Sequence, residues 1–448
     1  MAPSIAQILA RFKADVAGAL LPEAIEQECR TLGHAWRRRL LTPVVTVQAF
    51  LLQVLHGNLA CAGVPDLVGK AFSAAAYCRA RMRLPLALFE CLLRRAAEAL
   101  LPQTHVTGLW RGHRTWILDG SSFSMPDTRA LRKHFGQPGA QQAGCGFPVA
   151  HLLALFHAGT GFLLRVMASP LRTHDMARAA AVHPQLGAGD VLLVDRGLAS
   201  FAHLALLSQR KVHGLFRAHQ KQIIHFRPRR RHTGHHKPHK GQPRSRWLGR
   251  LGHQDQLVEY IKPRSKPQWI NARAYAALPE TLLVREVRYR TSCKGRRSQV
   301  ITLVTTLLDP RAYPAGELAD LYGRRWQVEV NLRHLKTTLG LEVLHSKSVA
   351  GITKELSVFA LVYNLVRVVM LEAGRRQMVP AERISFADAL RWLRQARPGT
   401  PLRPLAVNPH RPHRIEPRVC KRRPKSYRLL TQPRAKLRKA LRSKKRAA

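Results

Sequence analysis

Two short apolar runs in this chain each end in an aspartate, and they constrain the fold more than any other feature. Thr115-Trp116-Ile117-Leu118 leads into Asp119-Gly120-Ser121-Ser122, and Val191-Leu192-Leu193-Val194 leads into Asp195-Arg196-Gly197. Runs this short and this apolar read as strands buried on both faces. Around them, 150–157 and 162–167 flank Gly159-Thr160-Gly161 and predict a hairpin. Helices are expected over 175–186 and 199–209, and a further strand over 212–216. Strand, hairpin, helix, strand, helix, strand is the order of an α/β fold, a mixed sheet flanked by helices.

The rest of the chain divides around that core. Residues 1–105 read as a helical N-terminal domain, with Phe50, Leu51, Val54 and Leu55 at helical spacing. Within it, 74–81 could offer Arg79 and Arg81 to a nucleic-acid backbone or simply pack as a helix, and the residues do not choose. The first part of the core spans 106–216. A β-rich basic insertion follows over 217–309, with strands at 281–289 and 300–308. The second part, 310–372, opens with one long helix over 316–341, and 373–448 forms a basic C-terminal region.

Charge limits the partners. The 448 residues hold 75 Lys and Arg against 26 Asp and Glu, a formal net charge of +49. The block 219–250 carries 10 Lys/Arg, six His and no acid, and 411–448 carries 16 Lys/Arg and one acid, Glu416. Without both blocks the body still has 49 basic and 25 acidic residues. That argues against an ordinary metabolic enzyme and for a polyanionic partner, nucleic acid or a membrane surface. The apolar run 356–366 ends at Arg367, short of the roughly 20 residues a span requires, so no membrane is expected. No apolar leader opens the chain, and the seven cysteines form no CxxC pair. Reduced thiols in a cytosol are expected, with neither a zinc ribbon nor a disulfide framework.

Asp119 and Asp195 gain weight from the 316–341 helix. There Tyr322, Arg325, Glu329 and Lys336 are spaced +3, +4 and +7. At about 100° per residue they fall in one narrow stripe, beside an apolar stripe of Leu321, Val328, Leu332, Leu335 and Leu339. A solvated face with an Arg325–Glu329 ion pair would look the same. Three acids together suggest a two-metal phosphoryl-transfer site, since paired Mg2+ ions require several carboxylate oxygens. Arg325 and Lys336 would then suit phosphates.

These motifs, Asp119-Gly120-Ser121, Val194-Asp195-Arg196-Gly197 and Tyr322-x2-Arg325-x3-Glu329-x6-Lys336, resemble the three signature regions of DDE transposases. The last spacing marks the insertion-sequence-four-type branch, and the resemblance runs over about 40–372. It implies an RNase H-like core whose β-rich insertion lies between Asp195 and Glu329. It implies Asp119, Asp195 and Glu329 as catalytic residues and ligands of two Mg2+ ions, with Mn2+ as a substitute. Tyr322, Arg325, Arg333 and Lys336 become DNA-phosphate contacts. The implied partners are double-stranded DNA at transposon ends and target sites, and a second copy of the chain in a homodimer on DNA, in a bacterial cytoplasm at the nucleoid. Leu198 departs from the pattern, where a larger aromatic is frequent.

Other readings stay open at this level. A two-metal nuclease without strand transfer would use the same acids, and a non-enzymatic DNA-binding protein would need none of them. His174-Asp175 could rival Asp119 as a metal site, although a helix N-cap at Asp175 is the preferred reading. His232, His235, His236 and His239 could hold a metal loosely, but interleaved Arg and Lys favour a phosphate-binding loop. Trp247 and Trp269 could stack on a base or pack in a core.

Overall fold

A computed structural model describes residues 15–107, 109–139, 142, 144–173, 175–226, 242–291, 299–409 and 430–447. Nine strands form one sheet in the order β3-β2-β1-β4-β5-β9-β8-β7-β6. They are β1 Thr115–Ser124, β2 Val149–His157, β3 Leu163–Pro170, β4 Val191–Val194, β5 His213–Arg217, β6 Arg244–Gly252, β7 Asp255–Ile261, β8 Thr281–Thr291 and β9 Gln299–Thr305. β1, β4 and β5 run parallel, and every other neighbouring pair is antiparallel. The fold is α/β, a large mixed sheet flanked by helices.

Period-two alternation divides the sheet between two cores. Ile117, Leu193 and Leu215 stand in register across β1, β4 and β5 and belong to one apolar cluster. Leu118, Val194 and Phe216, one step on, belong to the other. All six side chains are almost fully buried. Each such burial contributes about 1.5–3 kcal/mol, so a one-residue slip would expose the whole set.

The first cluster also takes in the N-terminal helices and the Val349–Arg376 helix. That helix is long and apolar enough to cross a membrane, yet its apolar residues pack among β strands and other helices. Arg367 does not stop it. The buried guanidinium donates from Nε to the Thr160 carbonyl at 3.0 Å, inside the hairpin turn that precedes β3. Thr42 and Ser348 cap their helices, accepting from the amides of Val45 and Gly351.

Several sequence expectations are revised. The strands β6 to β9 extend the central sheet, because β9 pairs with β5. β1 continues five residues beyond Asp119, held by β2, so Asp119 is mid-strand opposite Ala154. No single helix covers 316–341. The segment is the helix Ala315–Gly323, a 3-10 turn Arg324–Trp326, the helix Gln327–Arg333 and a π turn His334–Thr338. Arg81 is turned inward over the Phe50 ring at 3.6 Å and bonds Gln53 and Ser346, whereas Arg79 is exposed. Among the described residues Cys29, Cys61, Cys78, Cys91 and Cys145 are free thiols. The cluster His232 to His239, and most of the basic tail, lie outside the described residues.

Candidate active site

The acids are positioned by strand register. Leu118 of β1 pairs with Val194 of β4 in parallel, so the next residues, Asp119 and Asp195, occupy adjacent positions at the point where β4 ends. Neighbouring strands lie about 4.8 Å apart, which sets the scale of the gap between them. Asp119 follows Ile117 by two residues and shares its face, as Asp195 does with Leu193. That face belongs to the first apolar cluster, which also contains Tyr322, Val328 and Leu332. The broken helix at 315–338 therefore lies over the two aspartates.

From that helix, Tyr322 is buried and its hydroxyl donates to Asp195 Oδ1 at 3.4 Å. Arg325, 7% exposed, places Nη1 3.5 Å from Asp119 Oδ2, and its Nε is buried with no acceptor among the described residues. The guanidinium also faces the rings of Tyr322 and Trp326 at 5.7 and 5.2 Å. Past the π turn the chain returns to the end of β1, where the Ser124 amide donates to the backbone carbonyl of Glu342 at 2.9 Å. The 3-10 turn changes the rotation per residue, so ideal 100° arithmetic does not describe the stripe, although Tyr322 and Arg325 both reach the acids.

Burial holds the Asp119 carboxyl above the usual aspartate range, and the negative charges of Asp195 and Glu329 push the same way. The Gly120 amide, donating to Oδ1 at 2.8 Å, and Arg325 oppose them. Burial likewise pushes the Tyr322 hydroxyl up. Gly120 matters for space as well. A Cβ there would run into the Asp175 carboxylate. Asp175 opens the helix Asp175–Ala179 and lies 3.9 Å from His151 Nδ1, while His174 lies outside the described residues.

The remaining expected residues are less tightly gathered. Glu329 is exposed, and it is near enough to Asp119 to be felt electrostatically. Arg333 is exposed and Lys336 half-buried, neither with an ion-pair partner among the described residues. As the side chains stand, no group of three or more His, Cys, Asp or Glu among the described residues could hold a metal ion. Beside Asp119 the positive charge comes from Arg325. The donor set still fits a hard divalent ion: carboxylate oxygens only, one of them partly desolvated, beside the point where β4 ends. Trp269 stacks on His203 at 4.4 Å, and both it and Trp247 are half-buried against the second cluster. Sequence reasoning missed Arg217, which ends β5 beside Asp195; only the β4–β5 register reveals it.

Two acids side by side on neighbouring strands, beneath a buried arginine, are an arrangement that could serve phosphoryl transfer. The chain belongs to the transposase DDE domain family, whose sequence model matches residues 110–365. It is 25% identical over 344 residues to transposase InsG of insertion sequence element IS4 from Escherichia coli K12, covering 71% of this chain and 70% of that protein. Putative transposase InsZ of the same organism is 26% identical over 219 residues, 47% of this chain and 70% of InsZ. These relatives make it a DDE transposase of the IS4 type. Among solved structures, a piggyBac transposase synaptic complex with hairpin DNA aligns with TM-score 0.41 and 9% identity, over 88% of this chain and 80% of that one.

Proposed function

We propose that this transposase binds the terminal inverted repeats of an insertion sequence and cleaves and transfers DNA strands at Asp119, Asp195 and Glu329. The observation that carries the reading is the register that sets Asp119 beside Asp195 beneath Tyr322 and Arg325. The meander β3-β2-β1 followed by parallel β4 and β5 supports an RNase H-like core.

In this reading the three carboxylates hold two Mg2+ ions, or Mn2+ in their place, which would supply the charge stabilisation that phosphoryl transfer requires. Arg325 orients Asp119 and offers its unsatisfied Nε–H to a phosphate oxygen. Tyr322 holds the Asp195 carboxylate through its hydroxyl. Lys336 and Arg333 neutralise phosphates further along the helix. The basic helix Arg434–Ala447 adds a second cationic surface. Its first residue bonds the Cys145 carbonyl at 2.6 Å and lies over the Phe147 ring at 3.8 Å.

The test is nicking and joining of transposon-end DNA to a target plasmid in Mg2+, for the wild type and for Asp119→Asn and Asp195→Asn. Loss of both steps in the variants, with end binding kept, is expected. Wild-type nicking without joined product would make the enzyme a nuclease, and nicking by either variant would overturn the site. Cross-linking on end DNA should show two copies of the chain per complex.

A further inference from the structure

We propose that Arg217 is a phosphate-gripping residue of this site, set opposite Arg325 across Asp195. The inference rests on the reading of the acids given above and adds a residue outside the Tyr-Arg-Glu-Lys stripe.

Register carries the argument. Val194 of β4 pairs with Phe216 of β5, and both side chains belong to the second apolar cluster. Arg217 is the next residue, as Asp195 follows Val194 and Asp119 follows Leu118. Two residues before these three come Ile117, Leu193 and Leu215, all in the first cluster. Asp119, Asp195 and Arg217 therefore form one row across three parallel strands, facing the helix that bears Tyr322 and Arg325. At about 4.8 Å per strand, Arg217 starts one strand from Asp195 and two from Asp119.

Its surroundings leave the charge available. Arg217 is half-buried, and among the described residues it has no hydrogen-bond or ion-pair partner. The charges of Arg325 and, more weakly, Arg217 both act on the Tyr322 hydroxyl. Tyr289 of β8, pushed up to about 12 by burial, also feels both. A half-buried guanidinium keeps part of its hydration and can exchange that water for a phosphate oxygen. Arg325 is occupied in part by Asp119, but its Nε–H has no acceptor. The two arginines thus offer unsatisfied N–H groups on either side of Asp195. A phosphodiester reaching the acids would find a donor on each flank, one fork gripping bidentately.

The test measures end-DNA affinity by fluorescence anisotropy in EDTA over a salt series, then Mg2+-dependent nicking at saturating DNA. Arg217→Gln should weaken binding about tenfold or more and lower the slope of log affinity against log salt by about one. Nicking at saturation should also fall, because a misplaced scissile phosphate reacts slowly. A surface cation remote from the acids would change affinity alone. Arg217→Lys should restore the salt slope yet recover nicking only in part, since an ammonium keeps the charge and loses the fork. Arg217→Gln with wild-type affinity, slope and nicking overturns the inference, and so does a loss confined to affinity. Asp195→Ala run in parallel separates the two claims. If it nicks normally, the reading of the acids fails. If it is inactive while Arg217→Gln behaves as wild type, only the role of Arg217 falls.

Discussion

Arg285 and Arg325 are both buried guanidiniums facing an aspartate, but their surroundings differ. Arg285, in the antiparallel half of the sheet, donates from Nε and Nη2 to the two oxygens of Asp255 at 2.8 and 2.5 Å. Its Nη1 bonds the Tyr313 carbonyl at 2.6 Å. Next to it, Glu286 accepts from Gln256 at 2.6 Å and from the Tyr260 hydroxyl at 2.9 Å. Arg325, over the parallel half, has one contact of 3.5 Å with Asp119 and a buried Nε with no acceptor. A fully satisfied buried pair fixes one arrangement; a half-satisfied one leaves a donor open to another acceptor. The guanidinium of the antiparallel half is therefore fixed in place, and the one over the parallel half has a donor to spare.

The largest effect expected from that difference is catalytic. Glu329→Ala should abolish Mg2+-dependent end cleavage while gel-shift affinity stays close to wild type, because an exposed carboxylate that serves transfer contributes little to binding or folding. Wild-type nicking by this variant would remove the helix from the site, however well its spacing fits.

Arg285→Ala should come next, this time in stability. It leaves Asp255 buried without its cation, a loss of about 3–5 kcal/mol, read as a lower urea midpoint. Arg325→Ala should lower stability by about 1 kcal/mol or less on the same measurement, because Asp119 is a quarter exposed and can recover water. Its loss should appear in end binding instead, at about 1.5–3 kcal/mol for a charge-assisted contact. Equal destabilisation by the two substitutions would erase the distinction drawn between the pairs.

The two halves were also unequally legible in the sequence. Asp119 and Asp195 could be read because short apolar runs ending in an acid are local signals. The spacing of Tyr322, Arg325, Glu329 and Lys336 survives in the text even though the helix breaks around Arg324–Trp326 and again at His334–Thr338. The breaks themselves were hidden, because the apolar and polar stripes continue through them at near-helical spacing. Arg217 was hidden for a related reason: its place beside Asp195 is a property of β4–β5 pairing, which is non-local. β6 was obscured by composition. Its alternation Arg244-Ser245-Arg246-Trp247 exposes the arginines and buries Ser245, so a strand reads as part of a charge run. The burial of Arg285 is explained by Asp255 on the neighbouring β7, a non-local partner.

The smallest predicted effect tests directly whether Arg325 stands where a metal's charge would act. Mg2+ that binds only the folded protein raises its stability, by about 1.4 kcal/mol when free Mg2+ is tenfold above its dissociation constant. In the wild type, Arg325 already offsets part of the charge on Asp119 and so opposes binding of the ion. Removing the guanidinium should strengthen the carboxylates' hold on Mg2+, even as it weakens DNA binding. The thermal midpoint of Arg325→Ala should therefore rise more steeply with Mg2+ than that of the wild type, and that of Asp119→Asn should rise least. Arg285→Ala, remote from the acids, should keep the wild-type Mg2+ increment on its lowered baseline. If Arg325→Ala and the wild type gain equally, Arg325 is not electrostatically linked to the metal, and its contact with Asp119 is packing alone.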